Sequence, residues 1–168
     1  MTEARSTETA QDVVAELPLI IGCGNLHRGD DAAGMLVAHR LQELGVPARE
    51  CQGEAMRLME AWRGCSAVVI IDAVVTGAEA GHIMTWDAHQ APLASGPFRC
   101  SSHGFGIAEA IELARTLGRL PPRLTIYGIE GTSFERGAPP SPAVKRAVEA
   151  VSQRILHDYR VTLHPRSA

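Results

Sequence analysis

The chain has 168 residues, of which 45% are hydrophobic and 21% charged, the balance of a soluble globular domain whose core is large enough to fold without disulfides or metal. The formal net charge is −3 with histidine neutral, so no electrostatic feature favours nucleic acid or an anionic membrane as a partner. The N-terminus lacks the apolar segment of a signal peptide, and no apolar run is long enough to cross a bilayer. We therefore expect a cytoplasmic protein in which the four cysteines are reduced thiols.

Strand and helix patterns alternate along residues 15–163, which we expect to form one domain, whereas residues 1–14 and 164–168 are expected to be disordered tails. The patterns predict, in chain order, a buried strand at 17–22, a helix at 31–44, a short strand at 46–51, a short helix at 55–62, a strand at 66–74, a shorter edge strand at 82–86, a loop at 88–102, a helix at 107–117, a last strand at 123–127 and a helix at 141–156. The 66–74 strand is rich in β-branched residues and uncharged until Asp72, which indicates a central position. The alternation predicts an α/β sandwich around a mostly parallel sheet.

A glycine-rich loop, GCGNLHRGDDAAG at 22–34, follows the first strand at the point where α/β proteins often bind phosphate. Gly22 and Gly24 begin a dinucleotide-binding fingerprint, but His27 occupies the position of the third glycine. Glu50 ends the second strand, where an acid that binds ribose would lie. A non-catalytic nucleotide-binding module that uses these residues is therefore an alternative function.

The same loop has the glycine spacing of a P-loop, but its next two residues are Asp30 and Asp31 instead of lysine and serine or threonine. Two carboxylates would repel a phosphate, so the loop is better suited to a cation. Adjacent side chains on a helix point about 100° apart, so only one can face the crevice easily. We expect Asp30 to cap the following helix and Asp31 to turn inward.

A metal site is predicted where the loops beyond neighbouring strands meet. Right-handed crossovers make the first strand and the central strand neighbours, which brings Asp31 and Asp72 to the same crevice. A third ligand would come from His103, in the loop before the next helix, or from His27 in the glycine-rich loop. Two carboxylates and an imidazole suit a divalent cation that polarises a carbonyl or activates water.

Ion pairs and thiols offer other interpretations of the same residues. The aspartates could each pair with Arg28 instead of a metal. Cys23 and Cys51 could approach each other on neighbouring strands, and Cys100 lies close to His103 in the sequence. Cysteines that end strands are more often small buried hydrophobic residues than ligands, so these thiols are the weaker candidates for a site.

Three segments, GCGNLHRGDDAAG, VVIIDAV and SSHGFG, in this order and spacing, resemble the [NiFe]-hydrogenase maturation proteases. These endopeptidases trim the C-terminus of the hydrogenase large subunit. The likeness runs from about residue 17 to about residue 153 and implies a twisted five-stranded sheet, hence a single-domain three-layer α/β sandwich with helices on both faces. The family's metal-binding positions fall on Asp31, Asp72 and His103, which favours His103 over His27. Some relatives have glutamate at the position of Asp31.

The resemblance implies a cytoplasmic, monomeric endopeptidase that removes the C-terminal extension of a large subunit precursor. Nickel already seated in that precursor would be the recognition element, and cadmium or zinc could mimic it. We expect Asp31, Asp72 and His103 to be both the metal ligands and the catalytic residues. Asn25, together with Gly53 and Glu54 of the segment after the second strand, is expected to contact the substrate. The chain has no D-T-G or D-S-G pair, so a pepsin-like aspartate dyad is not predicted.

Overall fold

The computed structural model describes residues 17–52, 54–90 and 106–159, so the predicted tails and most of the 88–102 loop lie outside the described residues. The strands are β1 (Leu19–Cys23), β2 (Ala48–Cys51), β3 (Ala67–Val74), β4 (Ile83–Asp87) and β5 (Arg123–Glu130). The helices are α1 (Ala33–Glu43), α2 (Ala55–Ala61), α3 (Ile107–Thr116) and α4 (Pro142–Asp158), and a short 3-10 helix (Gly29–Ala32) leads into α1. Within the described ranges, every helix is too short or too polar to cross a membrane.

The five strands form one sheet in the order β2-β1-β3-β5-β4. β1 pairs in parallel with both β2 and β3, β3 pairs in parallel with β5, and β4 runs antiparallel to β5 at the edge. All eight residues of β3 are buried, as expected of a central strand that is covered on both faces. The predicted α/β class, the mostly parallel five-stranded sheet and the positions of the central and edge strands are confirmed.

Helices cover both faces of the sheet because alternate residues of each strand point to opposite sides. Ile21 and Ile70 belong to a hydrophobic cluster with α2 and α3, whereas Ile20 and Val69 belong to a second cluster with α1 and α4. Burial of each such side chain contributes roughly 1.5–3 kcal/mol. These two clusters hold the three layers together.

Local sequence signals predict the start of α4 correctly but not the end of β5. Ser141 caps α4, and its Oγ accepts a hydrogen bond from the Val144 amide at 3.3 Å, as the Ser-Pro sequence predicted. β5 continues to Glu130 instead of ending at Tyr127, because its pairing with β3 extends to Val74. This longer strand brings a third carboxylate to the end of the sheet that carries Asp31 and Asp72.

Candidate active site

The carboxyl edge of the sheet carries the two aspartates predicted to form the site. Asp31 lies in the 3-10 helix just beyond β1, and Asp72 is the sixth residue of β3. The 3-10 helix contacts β3, and both aspartates are fully buried, with 0% exposure. The structure therefore places them at the same edge of the sheet, as expected from the predicted neighbours β1 and β3.

Asp72 lies on the face of the sheet that α3 covers. Its neighbour on that face, Val74, packs in one cluster with Cys23 and with Ile107, the first residue of α3. The predicted third ligand, His103, precedes α3 by four residues but lies outside the described residues, so its place beside Asp72 stays a prediction. In the described part of the chain, no three histidine, cysteine, aspartate or glutamate side chains are grouped as metal ligands would be.

Asp30 ties the glycine-rich loop to the loop after β5. Its Oδ2 accepts hydrogen bonds from the backbone amides of Thr132 (2.9 Å) and Ser133 (3.1 Å), and its Oδ1 accepts one from the amide of Ser141 (2.6 Å). The expectation that Asp30 caps the helix that follows it was wrong. Its carboxylate instead binds amides more than one hundred residues away in the chain, and it fixes the loop from which Asp31 extends.

The hydrogen bonds keep Asp30 ionised although it is buried. Burial raises the pKa of the Asp30 carboxyl, but the hydrogen bonds from Thr132, Ser141 and Ser133 together lower it more, so the pKa lies below its usual value. A carboxylate bound to three amides is a structural anchor. We therefore assign Asp30 to holding the loop and not to the substrate.

The backbone amides of the glycine-rich loop are used inside the protein, which argues against a phosphate site. Seven of the eight amide N–H groups from Gly24 to Asp31 donate to protein acceptors, for example Gly24 to the Cys51 carbonyl at 3.3 Å. A phosphate cradle needs several such groups to converge on the ligand. Glu50, the acid that would bind ribose, is hydrogen-bonded to the ring of His39 on α1. The nucleotide-binding alternative is therefore not supported.

Close packing of α1 on the sheet explains the glycines of the loop. A Cβ added to Gly22 would lie 2.1 Å from the carbonyl oxygen of Gly34, and one added to Gly34 would lie 2.2 Å from that of Ile71. Gly24 has φ +134°, and a Cβ there would lie 1.9 Å from the Asp31 carbonyl oxygen. Only glycine allows these backbones to approach so closely. The glycines thus place the 3-10 helix against the strand ends.

Glu130, at the end of β5, is a buried carboxylate that sequence reasoning missed. Its two oxygens accept hydrogen bonds from the amide of Thr76 (2.8 and 3.1 Å), from the Thr76 hydroxyl (2.8 Å) and from the amide of Gly77 (3.0 Å). The sequence gives Glu130 the same signal that marks Asp72, because both are acids at the end of an apolar strand. Like Asp30, Glu130 is a structural carboxylate that anchors a loop.

The predicted approach of Cys23 and Cys51 is confirmed. They are register partners on the parallel strands β1 and β2, and both are reduced thiols. The hydrogen bond with Cys51, burial and the nearby charge of Asp72 all raise the pKa of the Cys23 thiol well above its usual value. Cys23 is therefore a neutral thiol beside the candidate site.

Two of the three residues expected to contact the substrate, Asn25 and Glu54, lie in segments that follow β1 and β2. Asn25 Oδ1 accepts a hydrogen bond from the His27 amide at 2.9 Å, so this side chain helps to shape the loop. Glu54 directly precedes α2 and forms a surface ion pair with Arg57 at 2.8 Å. Gly53 lies outside the described residues.

A larger and a smaller cavity on the described surface lie at opposite ends of the sheet. One of about 350 Å³ adjoins the edge strand β2 and is lined by Arg49, Cys51 and Gln52 together with residues of α1 and α2. The other, of about 730 Å³, lies near the start of β3 and includes Cys65 and Arg119 in its wall. Of these two, the smaller cavity reaches the end of the strands where the aspartates lie.

The sequence and structure are similar to those of known proteins. The family model described as hydrogenase maturation protease matches residues 53–158. The hydrogenase expression/formation protein HupD of Rhodobacter capsulatus is 26% identical over 151 residues, 86% of this chain and 72% of that protein. The hydrogenase 2 maturation protease of Escherichia coli is 26% identical over 144 residues, 82% of this chain and 87% of that protein. The solved structure of the [NiFe] hydrogenase maturation protease HybD from Thermococcus kodakarensis superposes with a TM-score of 0.73 at 24% identity, over 86% of this chain and 99% of that one, which shows a shared fold.

Proposed function

The chain belongs to the hydrogenase maturation protease family and is a peptidase, and from this premise we propose that it removes the C-terminal extension of a nickel-loaded [NiFe]-hydrogenase large subunit precursor. The observation that carries the proposal is the placement of two fully buried aspartates, Asp31 and Asp72, at one edge of the sheet. Two other buried carboxylates at this edge, Asp30 and Glu130, are bound by backbone amides and anchor loops. We assign Asp31 and Asp72 to the substrate because the family resemblance puts its metal-binding positions on these two residues.

We assign Asp31, Asp72 and His103 to the nickel that the substrate carries. Carboxylate and imidazole ligands suit such a divalent ion, and cadmium or zinc could mimic it in the same ligand set. A metal ion beside the scissile peptide can polarise its carbonyl or supply a hydroxide. The fit of His103 rests on the chain order, because α3 begins four residues later and its first residue, Ile107, shares a cluster with Cys23 on the face where Asp72 lies.

The extension is proposed to lie along the carboxyl edge, next to the cavity of about 350 Å³ beside β2. Arg49 and Gln52 line this cavity, and Gly53 and Glu54 follow directly in the chain, which supports their assignment to substrate contact. Asn25 uses its Oδ1 within the loop, so we assign its amide N–H groups to the substrate. We further propose that the enzyme acts as a monomer in the cytoplasm.

The test of the proposal compares nickel-loaded and metal-free precursor. Purified enzyme is mixed with each form, and loss of the extension is followed by intact mass and by mobility on a denaturing gel. We expect trimming of the nickel-loaded form only. Equal trimming of both forms would remove nickel from the recognition step, and trimming of neither would refute the proposed substrate.

A pair of histidine variants tests the assignment of the third ligand. His103→Ala should abolish trimming because it removes a proposed nickel ligand. The matched control, His27→Ala, alters a histidine of the glycine-rich loop and should keep most of the activity. If His27 proves indispensable and His103 does not, the assignment of the site is wrong.

A further inference from the structure

Two thiols meet at the end of the sheet that carries the candidate site. Cys23 and Cys51 end the parallel strands β1 and β2 as register partners, and their thiols are hydrogen-bonded to each other. Neighbouring strands lie about 4.8 Å apart, which falls inside the range of Cα separations found in disulfides, roughly 4.4–6.8 Å. Both residues are reduced in the structure. The strand register thus holds two thiols at a distance that a disulfide can close.

We propose that Cys23 and Cys51 form a reversible dithiol–disulfide pair through which a peroxide switches the enzyme off. The loss of activity rests on the proposed function, whereas formation of the disulfide does not.

The two thiols differ in access, which sets the order of the chemistry. Cys51 is partly exposed and lines the cavity of about 350 Å³, whereas Cys23 is fully buried behind it. The Cys51 sulfur attacks one peroxide oxygen, the O–O bond breaks, and a sulfenic acid and one water form. The Cys23 sulfur then attacks the Cys51 sulfur, the S–O bond breaks, and a second water leaves with the Cys23 proton. The two thiols lose two electrons in total, and the peroxide is reduced to two waters.

The bond would disturb the candidate site because the Cys51 backbone holds the glycine-rich loop and Cys23 lies near Asp72. The Cys51 carbonyl accepts a hydrogen bond from the Gly24 amide at 3.3 Å. Gly24 packs so tightly on Asp31 that a Cβ added to Gly24 would lie 1.9 Å from the Asp31 carbonyl oxygen. The charge of Asp72 also acts on the Cys23 thiol. Bond formation brings the two sulfurs from hydrogen-bond distance to about 2 Å. This movement would shift the loop that carries Asp31, and a misplacement of about 1 Å at catalytic groups can cost about a hundredfold in rate.

The experiment treats the full-length enzyme with hydrogen peroxide, blocks the remaining thiols with N-ethylmaleimide and maps its peptides by mass spectrometry without reduction. We expect a Cys23–Cys51 linked peptide that disappears after dithiothreitol, and no such peptide in Cys51→Ser or Cys23→Ala. Cys65→Ser is the matched control, because Cys65 is also a reduced thiol that lines a cavity, but at the opposite end of the sheet. This variant should form the linked peptide as the wild type does.

Cleavage of nickel-loaded precursor is measured in parallel, each variant against its own untreated sample. Wild type and Cys65→Ser should lose about a hundredfold in rate and regain it with dithiothreitol, whereas Cys51→Ser should keep its untreated rate. A Cys51 sulfenic acid beside a reduced Cys23, or a disulfide that includes Cys65 or Cys100, would overturn the proposed pair. A complete Cys23–Cys51 disulfide with full cleavage would overturn the switch. Since the peptide map needs no precursor, an enzyme that cleaves nothing before oxidation refutes the proposed function while the map still decides the thiol pair.

Discussion

Removal of the Asp30 carboxylate should destabilise the protein, because three backbone amides donate to it. The donors are the amides of Thr132, Ser133 and Ser141, at 2.6 to 3.1 Å, in a loop that lies more than one hundred residues from Asp30 in the chain. Asp30→Ala leaves all three amides without this acceptor. Asp30→Asn keeps one carbonyl oxygen but turns an amide NH₂ toward at least one of the three donors.

The expected loss follows from the number of donors. An amide left without its acceptor costs about 1–3 kcal/mol, and the lower value applies here because water can reach part of the donor loop. Three donors therefore give about 3 kcal/mol for Asp30→Ala. Since 1 kcal/mol shifts the Tm of a domain of this size by about 2–4 °C, the Tm should fall by about 6–12 °C. Asp30→Asn should lie between this variant and the wild type.

The effect should also depend on pH, with a defined sign. The pKa of Asp30 is lowered in the folded protein, so its contribution is fully present above the pKa of the unfolded chain, about 3.9, and is lost as the pH falls through the folded value. The difference in Tm between wild type and Asp30→Asn should therefore be constant from pH 7 to about pH 5 and should shrink below about pH 4.

Thermal unfolding followed by circular dichroism, repeated across this pH range, measures both effects. Glu135→Ala is the matched control, because Glu135 is an exposed acid in the same loop and its removal should leave the Tm unchanged. If Asp30→Asn melts with the wild type at pH 7, or if its deficit persists unchanged in acid, the carboxylate is not the anchor described here.

Two further substitutions separate function from packing. Asp72→Asn should abolish trimming of nickel-loaded precursor and leave the Tm of the metal-free enzyme unchanged or higher, because the amide keeps the shape of the side chain and removes a buried charge. A fall of many degrees would instead indicate a buried ion pair, whose disruption costs about 3–5 kcal/mol. Gly34→Ala should unfold the protein or lower its Tm by at least 10 °C or so, since the new Cβ would lie 2.2 Å from the Ile71 carbonyl oxygen in rigid backbone. A wild-type Tm for this variant would show that α1 can move away from the sheet.

The sequence alone determined the elements, their order and the class of sheet. These depend on signals within a few residues of one another, such as the β-branched run of β3 and the Ser141-Pro142 start of α4. The right-handed crossover rule then predicted that β1 and β3 are neighbours, which brings Asp31 and Asp72 to one edge of the sheet. The family resemblance added the pairing with His103, which lies outside the described residues.

Tertiary structure alone decided which carboxylates anchor loops. Asp30 was expected to cap its own helix, but its three donors lie 102 to 111 residues away, beyond the reach of any local pattern. Glu130 was missed because β5 gains its last three residues through pairing with its neighbours β3 and β4. The glycines of the loop looked like parts of a phosphate site, yet their lack of side chains serves the contact of α1 with two strands, as Gly34 shows. A sequence pattern can report that a charge or a glycine stands at a strand end, but the partner that gives it a role is set by the packing of distant segments.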